Sequence, residues 1–263
     1  GGAGGGIQAM RLHIVGPGVV GLSTGRGFAR FGHSVVYSDK GDNHAIEADL
    51  HLVCVPEDAV PEVVQQLAQP RPQFHEYNRV VIRSSVPPGT TLALARKYPH
   101  LKLWHNPEFL REAVAESDFL HTERAIIGWA SPAGQGCLLE DLYRDMLVPV
   151  YHCSSTASEM VKLVTNSYLA TQLGFWQEVK RLCEAQALNS HRVGALVALD
   201  PRVSSYGPRM HGTSYGHTKC LPKDLAQLTD LGNRLGVDTL LLQAVRMTDL
   251  MTVAREKQAQ EKE

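Results

Sequence analysis

Short apolar runs alternate with amphipathic stretches along residues 10–153. The predicted strands are RLHIV, HSVVYSD, LHLVCV, RVVIRSSV and RAIIGWA, and LKLWHNP is predicted to pass from strand to loop. The segments between them, such as PEDAVPEVVQQLAQ, place apolar residues at helical spacing. Because the strands are mostly apolar, both faces of the sheet should be covered, as in parallel sheets. We therefore predict an α/β fold with a Rossmann-like parallel sheet domain over residues 10–153.

The pattern changes after residue 153. Residues 156–188 follow one helical periodicity without proline, and further helices are predicted over 190–199, 222–236 and 237–258. Residues 154–263 are therefore predicted to form an all-α domain. Residues 1–9 are glycine-rich and lack the basic and apolar regions of a signal peptide, and we interpret them as a leader or tag.

Charge and composition narrow the classes of function. The net charge of −1 favours neither nucleic acid nor an anionic membrane, and no apolar run approaches the ~20 residues that span a bilayer. Five cysteines without regular spacing predict no disulfide framework, and the scattered histidines predict no metal site. A cytoplasmic protein is expected.

A glycine motif indicates a dinucleotide site. Gly16, Gly18 and Gly21 form G-x-G-x-x-G between the first strand and the first helix, and Asp39 closes the second strand 18 residues later. In this context the glycines allow a tight turn, close approach of a pyrophosphate and close helix packing, while the acid binds the ribose. Asp39 favours NAD over NADP, although Lys40 beside it weakens that preference.

Two polar residues interrupt the long apolar helix. Lys162 and Asn166 lie four residues apart and therefore share one face. Side by side, an ammonium group and an amide could stabilise an oxyanion. The alternative is a solvated polar stripe, and the sequence of this helix considered alone favours that interpretation.

Cys220 lies two residues before Pro222, which suits the first turn of a helix. The helix dipole and the flanking Lys219 and Lys223 should favour the reactive thiolate. Cys54 and Cys183 lie in apolar settings and are predicted to be inert.

Three segments, HNPEFLREAVAESDFLHTERAIIG (105–128), SEMVKLVTNSYLATQ (158–172) and KCLPKD (219–224), together resemble the UDP-glucose/GDP-mannose dehydrogenase family. The resemblance extends over about residues 10–258. It implies NAD-dependent oxidation of the C6 alcohol of a nucleotide sugar to a carboxylate in two hydride transfers. Cys220 would form a thiohemiacetal and then a thioester.

The resemblance also implies roles for other residues. The implied catalytic roles are oxyanion stabilisation by Lys162 and Asn166, proton transfer or water positioning by Asp224, thioester hydrolysis by Glu108 and placement of the alcohol and water by Ser85. Beyond the motif residues, cofactor contacts are expected from Val19, Val20, Lys40, Val55, Pro56, Ser84 and Glu112. Substrate contacts are expected from Phe109, Leu110, Arg111, Arg202 and Tyr215. Arg202 would reach the substrate of a neighbouring subunit, which implies a homodimer through the central helical domain.

The sequence departs from the family in three places. The third, C-terminal nucleotide-binding domain of family members is not expected within these 263 residues, the stretch after Asp39 is short, and the usual aromatic-Gly-Gly-x-Cys loop is replaced by YGHTKC. We therefore expect either a truncated chain or a compact form, with the sugar left open. Two alternatives remain: a two-electron dehydrogenase of the 3-hydroxyacid or 6-phosphogluconate type, and a non-catalytic dinucleotide-binding relative.

Overall fold

The computed structural model describes residues 8–42, 46–69, 79–130, 138–210, 214–218 and 220–260. The chain divides into two compact units, Gly1–Lys162 and Leu163–Glu263. Most of the interpreted leader, and Lys219 beside Cys220, lie outside the described residues.

The first unit contains a seven-stranded sheet in the order β2-β1-β3-β4-β5-β6-β7. Its strands are β1 (Arg11–Val15), β2 (Ser34–Ser38), β3 (Leu50–Val53), β4 (Arg79–Ile82), β5 (Lys102–His105), β6 (Ala125–Trp129) and β7 (Val150–Ser154). Its helices are α1 (Val19–Arg30), α2 (Val60–Leu67), α3 (Thr90–Lys97), α4 (Ala115–Leu120) and α5 (Leu138–Asp145), followed by the start of α6 (Ser155–Ala185). The predicted Rossmann-like fold is confirmed.

One feature of the sheet differs from the prediction of a parallel sheet. Strands β5 and β6 pair antiparallel, whereas the other neighbouring strands pair in parallel. An apolar run that is buried on both faces carries no information about its direction, so the pattern could not show this reversal.

Alternating strand residues cover the two faces of the sheet, as the two-residue period requires. Leu12, Ile14 and Leu52 belong to one apolar cluster, and Val15 and Val53 belong to the other. The core on both faces holds the carboxyl ends of the strands in place.

The second unit is helical over its described residues. Besides the rest of α6, it contains α7 (Ser190–Val197), α8 (Tyr206–Met210), α9 (Cys220–Leu235) and α10 (Leu240–Gln260). Its apolar cluster comprises Ala170, Leu173, Tyr215, Leu221, Leu225 and Val245. The short α8 was not predicted. Among the described helices of both units, none combines the length and the hydropathy needed to cross a bilayer.

Candidate active site

The glycine turn lies between β1 and α1. Gly16 has φ +96°, and its N–H donates to the carbonyl of Ser38 at 2.9 Å. A Cβ on Gly16 would lie 2.7 Å from the carbonyl oxygen of Cys54, and one on Gly21 would lie 2.1 Å from that of Gly16. A Cβ on Gly18, by contrast, would meet nothing within 4 Å. Gly16 and Gly21 therefore allow close packing within the turn, and Gly18 leaves the outer surface of the turn open.

Helix α1 begins at Val19 with Gly18 as its N-cap, and no side chain accepts a hydrogen bond at that cap. The first turn contains no acidic residue. Val19 is exposed and Val20 is half-buried. N–H groups at such a helix start, together with the helix dipole, suit a phosphate, so these residues fit the dinucleotide that the motif implies.

Gly18→Ala should weaken NAD binding about tenfold and leave the free energy of unfolding nearly unchanged, because the methyl group fills only the space where the pyrophosphate would approach. Calorimetric titration with NAD and urea unfolding measure the two quantities. Gly21→Ala is the matched comparison: its methyl group would strike the carbonyl of Gly16, so this variant should lose stability as well. Equal NAD affinity in Gly18→Ala and the wild type would contradict the assignment.

Asp39 follows β2 at the same edge of the sheet. Parallel pairing of β1 and β2 sets Val15 opposite Ser38, which places the glycine turn and Asp39 after neighbouring strand ends. Asp39 is exposed, and its Oδ1 accepts from the N–H of Lys40 at 2.7 Å. The N–H of Asp39 donates to Asp42 at 2.6 Å. This second acid was not predicted, and it fixes the backbone that carries Asp39.

The ends of β3 and β4 are joined by a buried hydroxyl. Ser84 Oγ donates to the carbonyl of Val55 at 2.6 Å, and both residues are buried. Pro56 is exposed and Ser85 is half-buried. The structure thus gives Ser84 a role in holding the two loop starts together, and its predicted contact with the cofactor stays a prediction.

Lys162 and Glu108 form a buried ion pair. Lys162 Nζ lies 3.1 Å from Glu108 Oε1 and donates to the Glu108 carbonyl at 2.7 Å. The other oxygen, Oε2, accepts from the N–H of Leu110 at 2.7 Å. Exposed fractions of 3% for Lys162 and 7% for Glu108 exclude the solvated polar stripe for this lysine.

Two cations face the ring of Phe109, which is half-buried. Lys162 Nζ lies 5.4 Å and Arg124 Cζ lies 4.8 Å from the ring centroid.

Arg111 is exposed and pairs with Asp118 through Nη2 at 2.6 Å and Nε at 2.9 Å. This guanidinium lowers the pKa of Asp118. Glu112 is exposed at the start of a 3₁₀ turn.

His105 is fully buried at the end of β5, three residues before Glu108. Its Nδ1 lies 2.8 Å from Ser158 Oγ and its Nε2 lies 3.3 Å from the carbonyl of Ser84. A neutral ring with hydrogen on Nε2 satisfies both partners. Burial lowers the pKa of His105 to about 3, the hydrogen bond to Ser84 opposes this, and the charges of Arg83 and Lys162 add to it.

His105→Gln should reduce the loss of stability in acid. The folded pKa of about 3 lies below the ordinary value of 6.5, so the unfolded chain binds the extra proton between these limits. Stability is therefore lost as the pH falls through that window, by at most roughly 1.4 kcal/mol per pH unit. Urea unfolding of both proteins from neutral pH to about pH 4.5 measures the slope. Burial raises the pKa of Glu159, which has the opposite sign but is common to both proteins. Identical slopes would contradict the neutral, buried His105.

Arg83 forms a buried network that the sequence did not reveal. Its Nη1 donates to Asn106 Oδ1 and, at 2.9 Å, to the hydroxyl of Tyr143. Asn106 in turn donates to the carbonyl of Ile126 at 2.8 Å. This network joins the ends of β4 and β5 to α5 and β6, and it supports the loop that carries Glu108.

In the second unit, Asn166 is paired with Asp224. Asn166 Nδ2 donates to Asp224 Oδ2 at 2.6 Å, and both side chains are buried. Asp224 Oδ1 lies 3.3 Å from Lys223 Nζ. The structure thus pairs Asn166 with a carboxylate, and Lys162 with a different one in the first unit.

Cys220 is the first residue of α9 and is exposed. Asp224 lies one turn further along the same helix, so the two side chains share a face. Cys183 is buried, and burial raises the pKa of the Cys54 thiol to about 12. Of the cysteines that the structure describes, Cys220 alone is exposed.

Two predicted substrate residues have local partners. The hydroxyl of Tyr215 donates to the carbonyl of Val245 at 3.1 Å, its ring belongs to the apolar core, and burial raises its pKa. Arg202 is exposed and pairs with Asp200 at 2.6 Å. Within the described ranges, no three His, Cys, Asp or Glu side chains are grouped as metal ligands.

Two family models match this chain. The NAD binding domain of the UDP-glucose/GDP-mannose dehydrogenase family matches residues 42–147, and the central domain of the same family matches residues 156–249. The chain belongs to the UDP-glucose/GDP-mannose dehydrogenase family. The predicted resemblance and the predicted NAD-binding domain are thereby confirmed.

Members of this family from several sources are similar to the chain. It is 29% identical to a putative UDP-glucose 6-dehydrogenase, YtcA, of Bacillus subtilis, over 72% of this chain and 45% of the relative. It is 34% identical to UDP-glucose 6-dehydrogenase of Campylobacter jejuni, over 65% of this chain and 43% of the relative. The chain thus spans less than half the length of these relatives. A UDP-glucose dehydrogenase of Pyrobaculum islandicum shares the fold with a TM-score of 0.80 and 24% identity, over 95% of this chain and 70% of that one.

Proposed function

We propose that this chain carries the catalytic machinery for NAD-dependent oxidation of a nucleotide sugar from its primary alcohol to the carboxylate. The observation that carries the proposal is the exposed Cys220 at the start of α9, with a buried carboxylate, Asp224, one turn further along. A thiol at a helix N-terminus is favoured as the thiolate. Oxidation that stops at the carbonyl stage has no need of such a nucleophile.

Bound NAD would supply the hydride acceptor for both oxidations, two NAD for each substrate. Between them the Cys220 sulfur adds to the aldehyde carbon, which gives a thiohemiacetal. Loss of the second hydride, together with loss of the hydroxyl proton to solvent, leaves a thioester on Cys220. Water then displaces the sulfur, which releases the carboxylate and restores the thiol.

The other residues bind and move protons in this scheme. Lys162 is a donor that can stabilise an oxyanion, and Glu108 can take the proton of the attacking water. Asn166 holds the carboxylate of Asp224 at 2.6 Å, so that this acid can position a proton or water. Ser85 is half-buried after β4, and we assign it contact with the alcohol. A reduced Cys220 fits a cytoplasmic location.

The yield of NADH for each nucleotide sugar consumed tests this function. UDP-glucose and GDP-mannose are offered separately with excess NAD, and NADH is counted by absorbance against substrate loss by chromatography. Two NADH per substrate supports the proposal. One NADH indicates the hydroxyacid-type alternative, and intact NAD binding without turnover indicates a binding protein.

We also propose a homodimer through the central helical domain. Helix α6 exposes Val164, Tyr168, Phe175 and Leu182, with exposed fractions of 47%, 60%, 59% and 69%. Spacings of four and seven residues place them along one face, which is the pattern of a helix that packs against another helix. A second copy of the same helix would cover this stripe.

Phe175→Glu should convert the dimer to a monomer, because a charge in the middle of an apolar interface is left without solvent. Light scattering coupled to gel filtration measures the mass. Leu147→Glu is the matched control, since Leu147 is 91% exposed in the first unit. A wild-type protein that is monomeric over the tested concentrations would refute the dimer.

A further inference from the structure

The turn that precedes Cys220 is fixed to helix α10 by one buried carboxylate. Asp249 Oδ1 accepts from Ser214 Oγ at 2.7 Å, from the N–H of Tyr215 at 3.1 Å and from the N–H of Gly216 at 3.3 Å. Asp249 is 5% exposed. A buried carboxylate that accepts several hydrogen bonds fixes the groups that donate them, because losing any of these bonds is costly.

Other contacts fix the same turn to the same helix. The N–H of Ser214 donates to Glu256 Oε1 at 2.8 Å, and the hydroxyl of Tyr215 donates to the carbonyl of Val245 at 3.1 Å. Residues 245, 249 and 256 are four and seven apart and so lie on one face of α10. Thr218 Oγ1 closes the turn by donating to the Tyr215 carbonyl at 2.7 Å.

Gly216 shows how closely the turn lies against α10. A Cβ there would lie 2.8 Å from Asp249 Oδ2, 2.9 Å from Val253 Cγ2 and 3.0 Å from Ser214 Oγ. A larger residue at this position would push the turn off the helix. Position 216 is therefore part of the same anchor as Asp249.

Cys220 follows Thr218 by two residues and opens α9. We propose that Asp249 is a positioning residue for Cys220: it holds the Ser214–Thr218 turn on α10 and thereby fixes where α9 begins and where the thiol is presented. The catalytic use of that thiol rests on the proposed function. The presentation itself does not, and it can be measured on the protein without turnover.

The test measures the alkylation rate of Cys220 by iodoacetamide at neutral pH on the full chain, by mass spectrometry of peptides. Cys153, half-buried in β7, provides the internal reference. Asp249→Ala should slow Cys220 about fivefold relative to Cys153, because a frayed helix start no longer favours the thiolate. Asp249→Asn keeps an acceptor oxygen and should stay within about twofold of the wild type. Asp230→Asn, an exposed acid on α9, is the matched control.

Ser214→Ala provides a second route if Asp249→Ala does not fold. It removes the hydroxyl that bonds Asp249 Oδ1 and accepts from Gly216, and it should slow Cys220 about twofold. With an active substrate, Asp249→Ala should lower kcat and leave the KM for NAD unchanged. An unchanged or faster alkylation of Cys220 in folded Asp249→Ala or, where that variant does not fold, in Ser214→Ala overturns the positioning role. A wild type that turns over no nucleotide sugar overturns the proposed function instead, and the alkylation result still decides the role of Asp249.

Discussion

Cys220→Ser is expected to lower steady-state turnover of a nucleotide sugar by about 10³-fold or more. A serine hydroxyl at the start of α9 keeps nearly the same volume, but it is far less nucleophilic than the thiolate, so the thiohemiacetal and thioester form poorly. NAD affinity should not change, because the glycine turn and Asp39 are untouched. The measurement is initial NADH formation, with calorimetric NAD binding in parallel.

Cys153→Ser is the matched control for this variant, because Cys153 is half-buried in β7 and has no role in the scheme. It should turn over at close to the wild-type rate. A Cys220→Ser variant that still forms two NADH per substrate at an undiminished rate would show that the second oxidation needs no thioester.

Lys162→Met is expected to cost about 3–5 kcal/mol of stability in addition to activity. The methionine leaves the buried carboxylate of Glu108, 7% exposed, without the ammonium group that lies 3.1 Å from it. The Glu108 carbonyl also loses the hydrogen bond that Lys162 donates to it, so the loop that carries Glu108 loosens. Urea unfolding measures the free energy, and NADH formation measures the activity.

The double variant Lys162→Met with Glu108→Gln separates the two effects. An amide is cheaper to bury than an unpaired carboxylate, so about half or more of the lost stability should return while activity stays low. Stability that is equally low in the single and double variants would mean that the ion pair is not the source of the loss.

The sequence predicted the elements that show a clear hydrophobic periodicity or a glycine turn. Gly16, Gly18 and Gly21 were predicted to serve three separate ends, and the positive φ of Gly16, the open space at Gly18 and the close packing of Gly21 agree with them. The long helix was predicted over 156–188 and runs over Ser155–Ala185. The direction of β6 could not be predicted, because a strand that is apolar on both faces can be buried equally well in a parallel or an antiparallel pairing.

Polar pairing inside the protein could not be predicted, because it depends on contacts between distant segments. Lys162 and Asn166 were predicted to share one face of the helix, and the sequence did not show that each is bonded to a different carboxylate, Glu108 and Asp224. The buried hydrogen bonds of Arg83 could not be predicted, since a single arginine near a strand is more often exposed at the surface than buried.

Glu159 has a similar explanation. It lies on an apolar helix face and gave no signal, but its carboxylate accepts from the N–H groups of Gly89 and Thr91, at 2.5 and 2.8 Å. These groups lie at the start of α3, which a buried acid can cap from a distant helix. A pattern within one segment cannot show such a contact.

The thioester mechanism is tested most directly by detecting the substrate bound covalently to Cys220. The Glu108→Gln variant, in which hydrolysis of the thioester should slow, is mixed with UDP-glucose and NAD, quenched in acid and digested for mass spectrometry. We expect the peptide containing Cys220 to carry the mass of the oxidised nucleotide sugar, only when NAD is present, while the Cys153 peptide stays unmodified. Product formation at two NADH per substrate with no adduct on Cys220 at any quench time would contradict the thioester mechanism.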